Sequence, residues 1–487
     1  MPLLIISLVI TIYAYLMIRF GIHMFQQNGY KNKVHVKWIN ANRVRCYTGP
    51  FDMKPSKKPL VYTPRVVRLF VTTVLIFSVC CIANRFIGSN VTLLVFVAVY
   101  TFVLGPFLPV ISNIINSPIE KSIANGFIKK AMGTLAKMDD LTVIGITGSY
   151  GKTSVKFYLE TLLSSEFEVL ATPESYNTPM GVVKTINEHM KPTHRIFLCE
   201  MGARNVGDIK ELCDIVHPKH GIITSVGAQH LESFKTQENI TKTKFELADA
   251  LPEDGMLFLN YDSEIIREHN KNTSAITYST VGNGKYNADD IVTSINGTTF
   301  TVTAPDGEKA QFTTKLIGSH NVVNVVGAIA VANSLGISLE KLKIPVRTLR
   351  PVEHRLNMTE KNGITIIDDA YNSNPAGAKA ALDTLSMFED AVKILITPGM
   401  VELGEKEDEL NEVFGRQAAV SADYILLVGK KHTEPIAKGI KEEGFDEKKL
   451  YIEDSFNDAL TRVYSIPGEQ HKVLLIENDL PDNYQEK

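Results

Sequence analysis

Cysteine is scarce in this chain, with five residues among 487, and no two of them form a Cys-x-x-Cys pair. A disulfide-stapled scaffold and a zinc ribbon are therefore disfavoured. Cys199 and Cys213 are expected to pack as small apolar residues in a reducing compartment. The sequence shows no internal repeat or low-complexity tract, and the absence of an LSGGQ-like signature disfavours a transporter ATPase.

The net charge of −3 hides an uneven distribution of charge along the chain. Residues 1–140 contain 16 Lys and Arg against 4 Asp and Glu, whereas the remainder contains 35 against 50. The chain is also too long for one compact domain. We therefore expect a basic N-terminal part, an acidic body and two or three domains in all.

Three largely uncharged apolar runs predict a membrane anchor over residues 1–136, with spans at about 1–18, 69–84 and 91–111. The first run is just long enough to span, and the second is short enough to be re-entrant. Between the first two runs, residues 19–68 carry eleven Lys and Arg against a single acid, which places this loop in the cytoplasm. The prediction is a multi-pass protein of a cell membrane, with the acidic body in the cytoplasm.

The basic loop 19–68 suits two kinds of anionic partner, nucleic acid and membrane lipid. A nucleic-acid patch is disfavoured because aromatic residues are sparse there (Trp38, Tyr47 and Phe51) and apolar runs flank the loop. Contact with anionic membrane lipid is favoured instead.

From about residue 141 the sequence alternates short apolar runs, rich in β-branched residues, with longer amphipathic stretches. This alternation predicts a parallel α/β fold. Residues 296–316 read instead as antiparallel hairpins, and the α/β alternation restarts past Pro351. We expect a central P-loop α/β domain at 137–345 and a C-terminal Rossmann-like α/β domain at 346–487.

The strongest local motif is a glycine loop, residues 145–154, that follows an apolar strand and leads into a helical pattern. Small residues let backbone N–H groups and the helix N-terminus face a polyphosphate, Lys152 adds a positive charge, and the Thr153 hydroxyl can reach Mg²⁺. The spacing departs from the common Gly-x-x-x-x-Gly-Lys-[Ser/Thr] pattern, because Ile146 stands five residues before Gly151. A bland glycine-rich turn is the alternative.

Polar residues follow two further apolar strands. Glu200 ends the strand 196–199, at the edge where a parallel sheet would place it beside the glycine loop, and a carboxylate there suits magnesium. The alternative is a solvated acid at a strand end. His230 lies past another strand end, where a lone histidine is more often structural, and the spacing around Lys244 indicates only a surface lysine of a helix.

Seven ordered motifs resemble those of the Mur ligases, and these are TGSYGKTS (147–154), CEMGARNVGDI (199–209), ITSVGAQHLESF (223–234), TKTKFEL (241–247), GSHNVVN (318–324), EHRL (353–356) and IDDAYNSNP (367–375). The resemblance covers residues 141–487. It is strongest to the branch that adds D-alanyl-D-alanine to the UDP-N-acetylmuramoyl tripeptide of peptidoglycan. It implies an ATP-dependent, ADP-forming amide ligase that works through an acyl phosphate and requires Mg²⁺, with a cell-wall precursor and an amino acid or dipeptide as substrates.

The resemblance also implies roles for individual residues. The catalytic set is Lys152, Glu200, His230 and Lys244. The nucleotide contacts are Gly148, Ser149, Tyr150, Gly151, Lys152, Thr153, Ser154, Asn321, Asn324, Arg355, Asp369 and Tyr371. The metal ligands are Thr153 and Glu200 at one site and His230 and Lys244 at a second, where the family's matching lysine is often carbamylated. Asn177 and Thr178 match a substrate-binding loop.

Residues 1–136 depart from the family, whose typical members begin with a soluble domain that binds uridine diphosphate. An anchor in that place would bring the active site to a lipid-linked or membrane-proximal acceptor. Two alternatives stay open. One is a Mur-like ligase for another acceptor, such as capsule poly-glutamate, and the other is a membrane-tethered ATP-binding protein without turnover.

Overall fold

The computed structural model of the chain describes residues 2–51, 59–87, 105–174, 176–227, 231–370, 374–401, 403–468 and 470–479. The chain divides into two compact units, one extending to Gly126 and the other running from Phe127 to Asp479.

The N-terminal unit is helical where it is described. Its helices are α1 (Pro2–Gln27), α2 (Asn32–Ala41), α3 (Arg43–Thr48), α4 (Pro64–Ile87) and the start of α5 (Leu108–Leu135), with 3₁₀ turns at Gly49–Phe51 and Gly105–Phe107. Ile22, Phe25 and Leu69 are fully or almost fully buried in its core. Arg68 of α4 forms a bidentate ion pair with Glu120 of α5, at 2.6 and 2.9 Å.

The predicted membrane anchor is contradicted. Among the described residues, no helix has both the length and the apolar content that crossing a bilayer requires. The first two predicted spans fall within α1 and α4. Their uncharged runs of 18 and 16 residues lie respectively near and below the lower limit of roughly 17 residues for a transmembrane helix. Most of the third predicted span lies outside the described residues. The prediction of a multi-pass membrane location is therefore wrong for the described part of the chain, and the predicted lipid partner loses its support.

The second unit contains a nine-stranded sheet in the order β2-β3-β1-β4-β5-β6-β7-β8-β9. Neighbouring strands are parallel up to β7, whereas β8 is antiparallel to both of its neighbours, β7 and β9, which form the predicted hairpins. The strands are β1 (Thr142–Thr147), β2 (Val169–Ala171), β3 (Ile196–Glu200), β4 (His220–Ile223), β5 (Leu257–Asn260), β6 (Ile276–Ser279), β7 (Tyr286–Ser294), β8 (Gly297–Thr303) and β9 (Lys309–Thr314).

Helices cover both faces of this sheet, which explains why its central strands are continuous apolar runs. These helices are α6 (Lys152–Leu163), α7 (Pro179–His189), α8 (Asp208–Val216), α9 (Leu231–Phe234), α10 (Gln237–Asp249), α11 (Glu264–His269), α12 (Ser319–Ser334) and α13 (Leu339–Thr348). One core contains Leu159 of α6 and Ile329 of α12. The other contains Leu212 of α8 and Leu247 of α10, together with Cys199 and Cys213, which are buried free thiols as predicted.

A second, six-stranded sheet has the order β10-β11-β15-β12-β13-β14, with only β10 antiparallel to its neighbour. Its strands are β10 (Asn357–Lys361), β11 (Ile364–Asp369), β12 (Val392–Thr397), β13 (Tyr424–Val428), β14 (Leu450–Glu453) and β15 (Lys472–Glu477). Its helices are α14 (Pro375–Ser386), α15 (Glu407–Ser421), α16 (Glu434–Glu442) and α17 (Phe456–Ser465). The restart of α/β alternation past Pro351 is thus confirmed.

Candidate active site

The glycine loop connects β1 to α6 at the carboxyl edge of the first sheet. The register of β1 pairs Ile146 with Glu200 on one side and with Ile222 on the other, so the ends of all three strands meet at this edge. The loop is held by the segment after β4: the Ser149 amide donates to the Ser225 carbonyl at 2.8 Å, and the Tyr150 amide donates to the Ser225 hydroxyl at 2.7 Å. The loop therefore has a fixed shape before any ligand binds.

Two glycines permit this shape. Gly151 caps the N-terminus of α6 with φ 79°, in the left-handed region. A Cβ on Gly148 would lie 2.1 Å from the Thr224 hydroxyl oxygen and 3.0 Å from the Ser225 amide nitrogen, closer than atoms can approach. The position of the loop beside the segment after β4 therefore requires glycine at residue 148.

We expect Gly148→Ala to weaken ADP binding by about tenfold or more and to destabilise the protein by about 1–3 kcal/mol, because the loop must move away from Thr224. Gly133→Ala is the matched control, because a Cβ there meets nothing within 4 Å and Gly133 lies in α5. Urea unfolding and ADP titration measure the two effects. Equal ADP affinity in Gly148→Ala and the native protein would contradict the close approach.

Lys152 is the first residue of α6, and its side chain turns back along the loop. Its Nζ donates to the carbonyl oxygens of Gly148 at 2.7 Å and Ser149 at 3.1 Å. Burial lowers the pKa of Lys152 to about 8; the Glu200 carboxylate opposes this change and Arg355 adds to it. An anion placed against the loop would favour the charged form of Lys152.

Glu200 lies beside the start of α6, as predicted. It is 1% exposed, and its Oε1 accepts from the Thr153 hydroxyl at 3.1 Å and from the Asn177 amide at 3.0 Å. A hydroxyl and a carboxylate thus converge next to the glycine loop. Oxygen ligands of this kind suit Mg²⁺, which commonly takes one or two protein oxygens together with phosphate oxygens and water.

The predicted second metal site is only partly visible. His230 lies outside the described residues, whereas Lys244 lies on α10 and is 2% exposed. The reading of Lys244 as a surface lysine is therefore wrong. Burial holds the pKa of Lys244 well below its usual value, and the nearby charge of Lys152 lowers it further. Across the described residues, no group of three or more His, Cys, Asp or Glu side chains could hold a metal.

Residues from both sheets line one cavity of about 230 Å³. The predicted residues that line it are Tyr150, Gly151, Ser154, Asn321, Asn324, Arg355 and Asp369. The structure therefore brings the glycine loop together with residues some two hundred positions further along the chain. Tyr371 lies outside the described residues, and Asn374, which lines the same cavity, caps α14 by accepting from the Gly377 amide at 2.9 Å.

The two asparagines on α12 are buried and partly committed to internal contacts. Asn321 accepts from the Tyr158 hydroxyl at 2.8 Å and donates to the Ile317 carbonyl at 2.8 Å. Asn324 packs against Gly151, where a Cβ would lie 2.7 Å from its Oδ1. Their contacts hold α12 against α6 and the loop, so they help to shape the cavity that they line.

His320 is a cavity residue that the sequence reasoning missed. It precedes Asn321, and its Nδ1 is buried without a hydrogen-bond partner among the described residues. Burial lowers the pKa of His320 to about 4, so the ring is neutral at pH 7. Its position between Ser319 and Asn321 in the GSHNVVN motif is the one feature of the sequence that could have indicated a place in the cavity.

Arg355 enters the cavity from a strained segment. His354 and Leu356, on either side of it, have φ values of 58° and 49°. Such left-handed conformations are costly for residues other than glycine and persist only where the surroundings enforce them. The Leu356 amide donates to Asp369 Oδ1 at 3.2 Å, and His354 Nδ1 lies 2.7 Å from Asp368 Oδ2. These contacts to the end of β11 fix the segment.

Asp369 gives a pH prediction. Burial raises its pKa from 3.8 to about 6, against the opposing effects of the Leu356 amide and Arg355. The folded state therefore binds this proton more tightly than the unfolded chain does, and the resulting stability is present below about pH 4 and is lost as the pH rises through about 6. The loss is at most about 3 kcal/mol.

Asp369→Asn should therefore flatten the pH dependence of the free energy of unfolding between pH 4 and 7 by up to about 3 kcal/mol. Urea unfolding across this range measures the effect. Asp383→Asn, at an exposed residue paired with Lys379, is the control. Parallel pH curves for Asp369→Asn and the native protein would show that the pKa of Asp369 is not raised.

A glycine loop that lies at the carboxyl edge of a parallel sheet, beside a lysine, a hydroxyl and a carboxylate, defines a nucleotide-binding α/β protein of the P-loop class. The chain belongs to the Mur ligase family. Residues 146–332 match the Mur ligase middle domain, and residues 354–476 match the domain described as Mur ligase, glutamate ligase domain. The family resemblance predicted from the motifs is confirmed.

Three similar proteins carry the comparison further. The UDP-N-acetylmuramoyl-tripeptide-D-alanyl-D-alanine ligase of Mycobacterium bovis is 34% identical over 304 residues, which are 59% of this chain and 58% of that protein. The Mycobacterium leprae ligase of the same name is 33% identical over 349 residues, 65% of this chain and 67% of that one. The MurF ligase of Thermotoga maritima in complex with ADP is 25% identical, with a TM-score of 0.65, covering 73% of this chain and 80% of that one.

These similarities cover only part of this chain and only part of each similar protein. The chain spans less than two thirds of the length of the Mycobacterium bovis relative, and neither family domain reaches residues before 146. The activity and substrates of the relatives are therefore carried to this chain only as a proposal.

Proposed function

We propose that this protein is an ATP-dependent ligase that adds D-alanyl-D-alanine to a UDP-N-acetylmuramoyl tripeptide in peptidoglycan synthesis. The observation that carries the proposal is the single cavity in which Arg355 and Asp369 face the glycine loop. Membership of the Mur ligase family and the names of the similar proteins support the same activity.

The proposed chemistry needs an activated acid, because a free carboxylate is a poor electrophile. A carboxylate oxygen of the peptide substrate attacks the γ-phosphorus of ATP, giving an acyl phosphate and releasing ADP. The amine of the dipeptide then attacks the carbonyl carbon and loses a proton. The C–O bond to phosphate breaks last, so the products are an amide, ADP and inorganic phosphate.

The protein's part in this chemistry is positioning and charge neutralisation. We assign the cradle of the phosphates to the backbone of residues 148–154 and the neutralisation of the transferred group to Lys152. Thr153 and Glu200 would hold one Mg²⁺, which neutralises phosphate charge when bound. Arg355 would contact the phosphates from the opposite wall, and closure of that wall would exclude water from the acyl phosphate.

The remaining site assignments are also proposals. His230 and Lys244 would form a second Mg²⁺ site, with Lys244 carbamylated. Its burial supports this role, because only a neutral amine adds carbon dioxide. Asn177 and Thr178 would contact the peptide substrate. In support, Asn177 already contacts Glu200, and Thr178 caps α7 by accepting from the Gly181 amide at 3.4 Å.

We further propose domain boundaries at residues 136/137 and 345/346. The first is supported by the end of α5 at Leu135, although the division into compact units falls earlier, after Gly126. The second lies within the last turn of α13, which ends at Thr348, and its support is that the second sheet begins shortly afterwards, at Asn357.

The test is product analysis by mass spectrometry. The full chain is mixed with ATP, Mg²⁺ and UDP-N-acetylmuramoyl tripeptide, and either D-alanyl-D-alanine or glutamate is added. The proposal expects a pentapeptide product and phosphate release that both require the dipeptide. Phosphate release that requires glutamate instead would favour the poly-glutamate alternative, and ATP binding without any product would favour the non-catalytic one.

A further inference from the structure

Lys156 is a buried lysine that the proposed chemistry does not use. It lies one helical turn after Lys152 on α6, among the apolar residues Val155 and Leu159, and is 0% exposed. A lysine is almost never fully buried unless its charge is paired, because the loss of hydration is costly. The contacts of its ammonium group therefore explain its presence.

Those contacts join two elements. The Lys156 Nζ lies 3.1 Å from Glu200 Oε2, in an ion pair in which both side chains are almost completely buried. The same Nζ donates to the carbonyl oxygen of Glu174. Glu174 has φ 41°, a left-handed conformation that a residue other than glycine adopts only when its surroundings enforce it.

Residues 172–174 and 176–178, called here the β3-side loop, contact Glu200 at a second point. Asn177 donates from its side-chain amide to Glu200 Oε1 at 3.0 Å, and its carbonyl accepts from the Gly202 amide at 2.8 Å. The Glu200 carboxylate thus contacts two loops. It accepts a hydrogen bond from Thr153 at the end of the glycine loop, and it is linked to the β3-side loop by Lys156 and Asn177.

We propose that Lys156 is a positioning residue that couples the β3-side loop to the Glu200 carboxylate, so that occupancy of the nucleotide site is transmitted to the loop that carries Asn177 and Thr178. The inference deepens the proposed function and rests on it, because that function gives Glu200 and the loop their roles. Coupling of this kind is reciprocal, since a substrate that orders the loop changes nucleotide affinity by the same factor.

The geometry gives the direction of the effect. Without the Lys156 ammonium, Oε2 of Glu200 loses its ion-pair partner and the carbonyl of Glu174 loses its hydrogen-bond donor. The β3-side loop then keeps its contacts with Glu200 through Asn177 and Thr172. The loop should open more often while the glycine loop keeps its own hydrogen bonds to residues 225–227.

The test is hydrogen–deuterium exchange of the full chain, followed by mass spectrometry. In the metal-free protein, Lys156→Met should speed exchange of amides in 172–178 by about tenfold or more, because a hydrogen bond from a charged donor is lost. Amides of 148–151 should be unchanged. Lys210→Met is the matched control, since Lys210 also pairs with a carboxylate, Asp214 at 2.7 Å, but is exposed.

A second measurement separates coupling from simple support of the loop. In the native protein, Mg²⁺ with ADP should change exchange in 172–178, and in Lys156→Met this change should disappear although calorimetry still detects ADP binding. Loop exchange in Lys156→Met that equals the native rate, or that responds to Mg²⁺ with ADP as the native protein does, would overturn the inference. Absence of ADP binding by the native protein would instead refute the proposed function.

If Lys156→Met does not fold, Asn177→Ala provides a second test. This variant keeps the ion pair between Lys156 and Glu200, so neither buried charge is left unpaired. It removes the second contact between the loop and Glu200. Faster exchange of 172–178 together with a lost response to Mg²⁺ and ADP would support the coupling through Glu200. Native exchange with a native response would overturn it.

Discussion

Lys152→Ala should lower the rate of ATP-dependent amide formation by about 10²–10³-fold, equivalent to about 3–4 kcal/mol of transition-state stabilisation. The side chain starts α6 and folds back over the glycine loop, within reach of any phosphate bound there. Its positive charge lies against the loop backbone, where it can neutralise a transferring phosphoryl group. Steady-state phosphate release with saturating substrates measures the loss.

The Lys152→Ala result is interpretable only if the fold is unchanged. Removing Lys152 eliminates two hydrogen bonds to loop carbonyls, so unfolding by urea should be measured in parallel. Lys341→Ala is the control, because Lys341 is exposed and pairs with Glu166 far from the loop. Native turnover in Lys152→Ala would contradict the role assigned to Lys152 in neutralising the transferred phosphoryl group.

Lys244→Ala should lower turnover by about 10²-fold or more, if Lys244 carries a carbamate that binds metal. A neutral amine adds carbon dioxide to give a carbamate and a proton, and burial keeps Lys244 neutral at lower pH than an exposed lysine. Acetate or bicarbonate should partly restore turnover in the variant, because either supplies a carboxylate oxygen to the vacated space. Phosphate release with increasing acetate measures the rescue.

Lys242→Ala is the matched control for Lys244→Ala. The two lysines lie two residues apart on α10, but Lys242 is exposed and Lys244 is buried. A carbon-13 signal from labelled bicarbonate, present in the native protein and absent from Lys244→Ala, would identify the modification directly. Native activity in Lys244→Ala would reject the metal-ligand role, and loss of activity without rescue would leave a lysine that acts through its own charge.

The local parts of the fold and site were predictable from sequence. Strands β1, β3 and β13 are short apolar runs with β-branched residues, as the predicted α/β alternation requires. The glycine loop is recognisable from the motif of ten consecutive residues, 145–154. Such features depend on neighbouring residues alone, so composition and spacing suffice to find them.

The meeting of Arg355 and Asp369 with the glycine loop depends on tertiary structure. Nothing in the spacing of either residue points to residues 148–154, and only the family resemblance placed them together. Lys156 was missed for a related reason. At helical spacing from Lys152 it looks like a second solvated lysine, and its burial depends on Glu200 and Glu174, which belong to other elements.

The N-terminal prediction failed because hydrophobicity alone does not distinguish a membrane span from a buried helix. Some apolar residues of these helices, such as Ile22 and Leu69, belong to the core of the N-terminal unit, whereas others, such as Leu75, are exposed. The pairing of Arg68 with Glu120 was not visible from sequence, since 52 residues separate them. The hydropathy of a run of residues does not show whether a charged residue beside it, such as Arg68, forms an ion pair with another helix.

The central claim is that ATP activates a carboxylate as an acyl phosphate before an amine attacks. The most direct test uses peptide substrate labelled with oxygen-18 in the reacting carboxylate. The account predicts that each phosphate released during amide formation carries one labelled oxygen, because the C–O bond to phosphate breaks in the last step. Amide formation with unlabelled phosphate would contradict it.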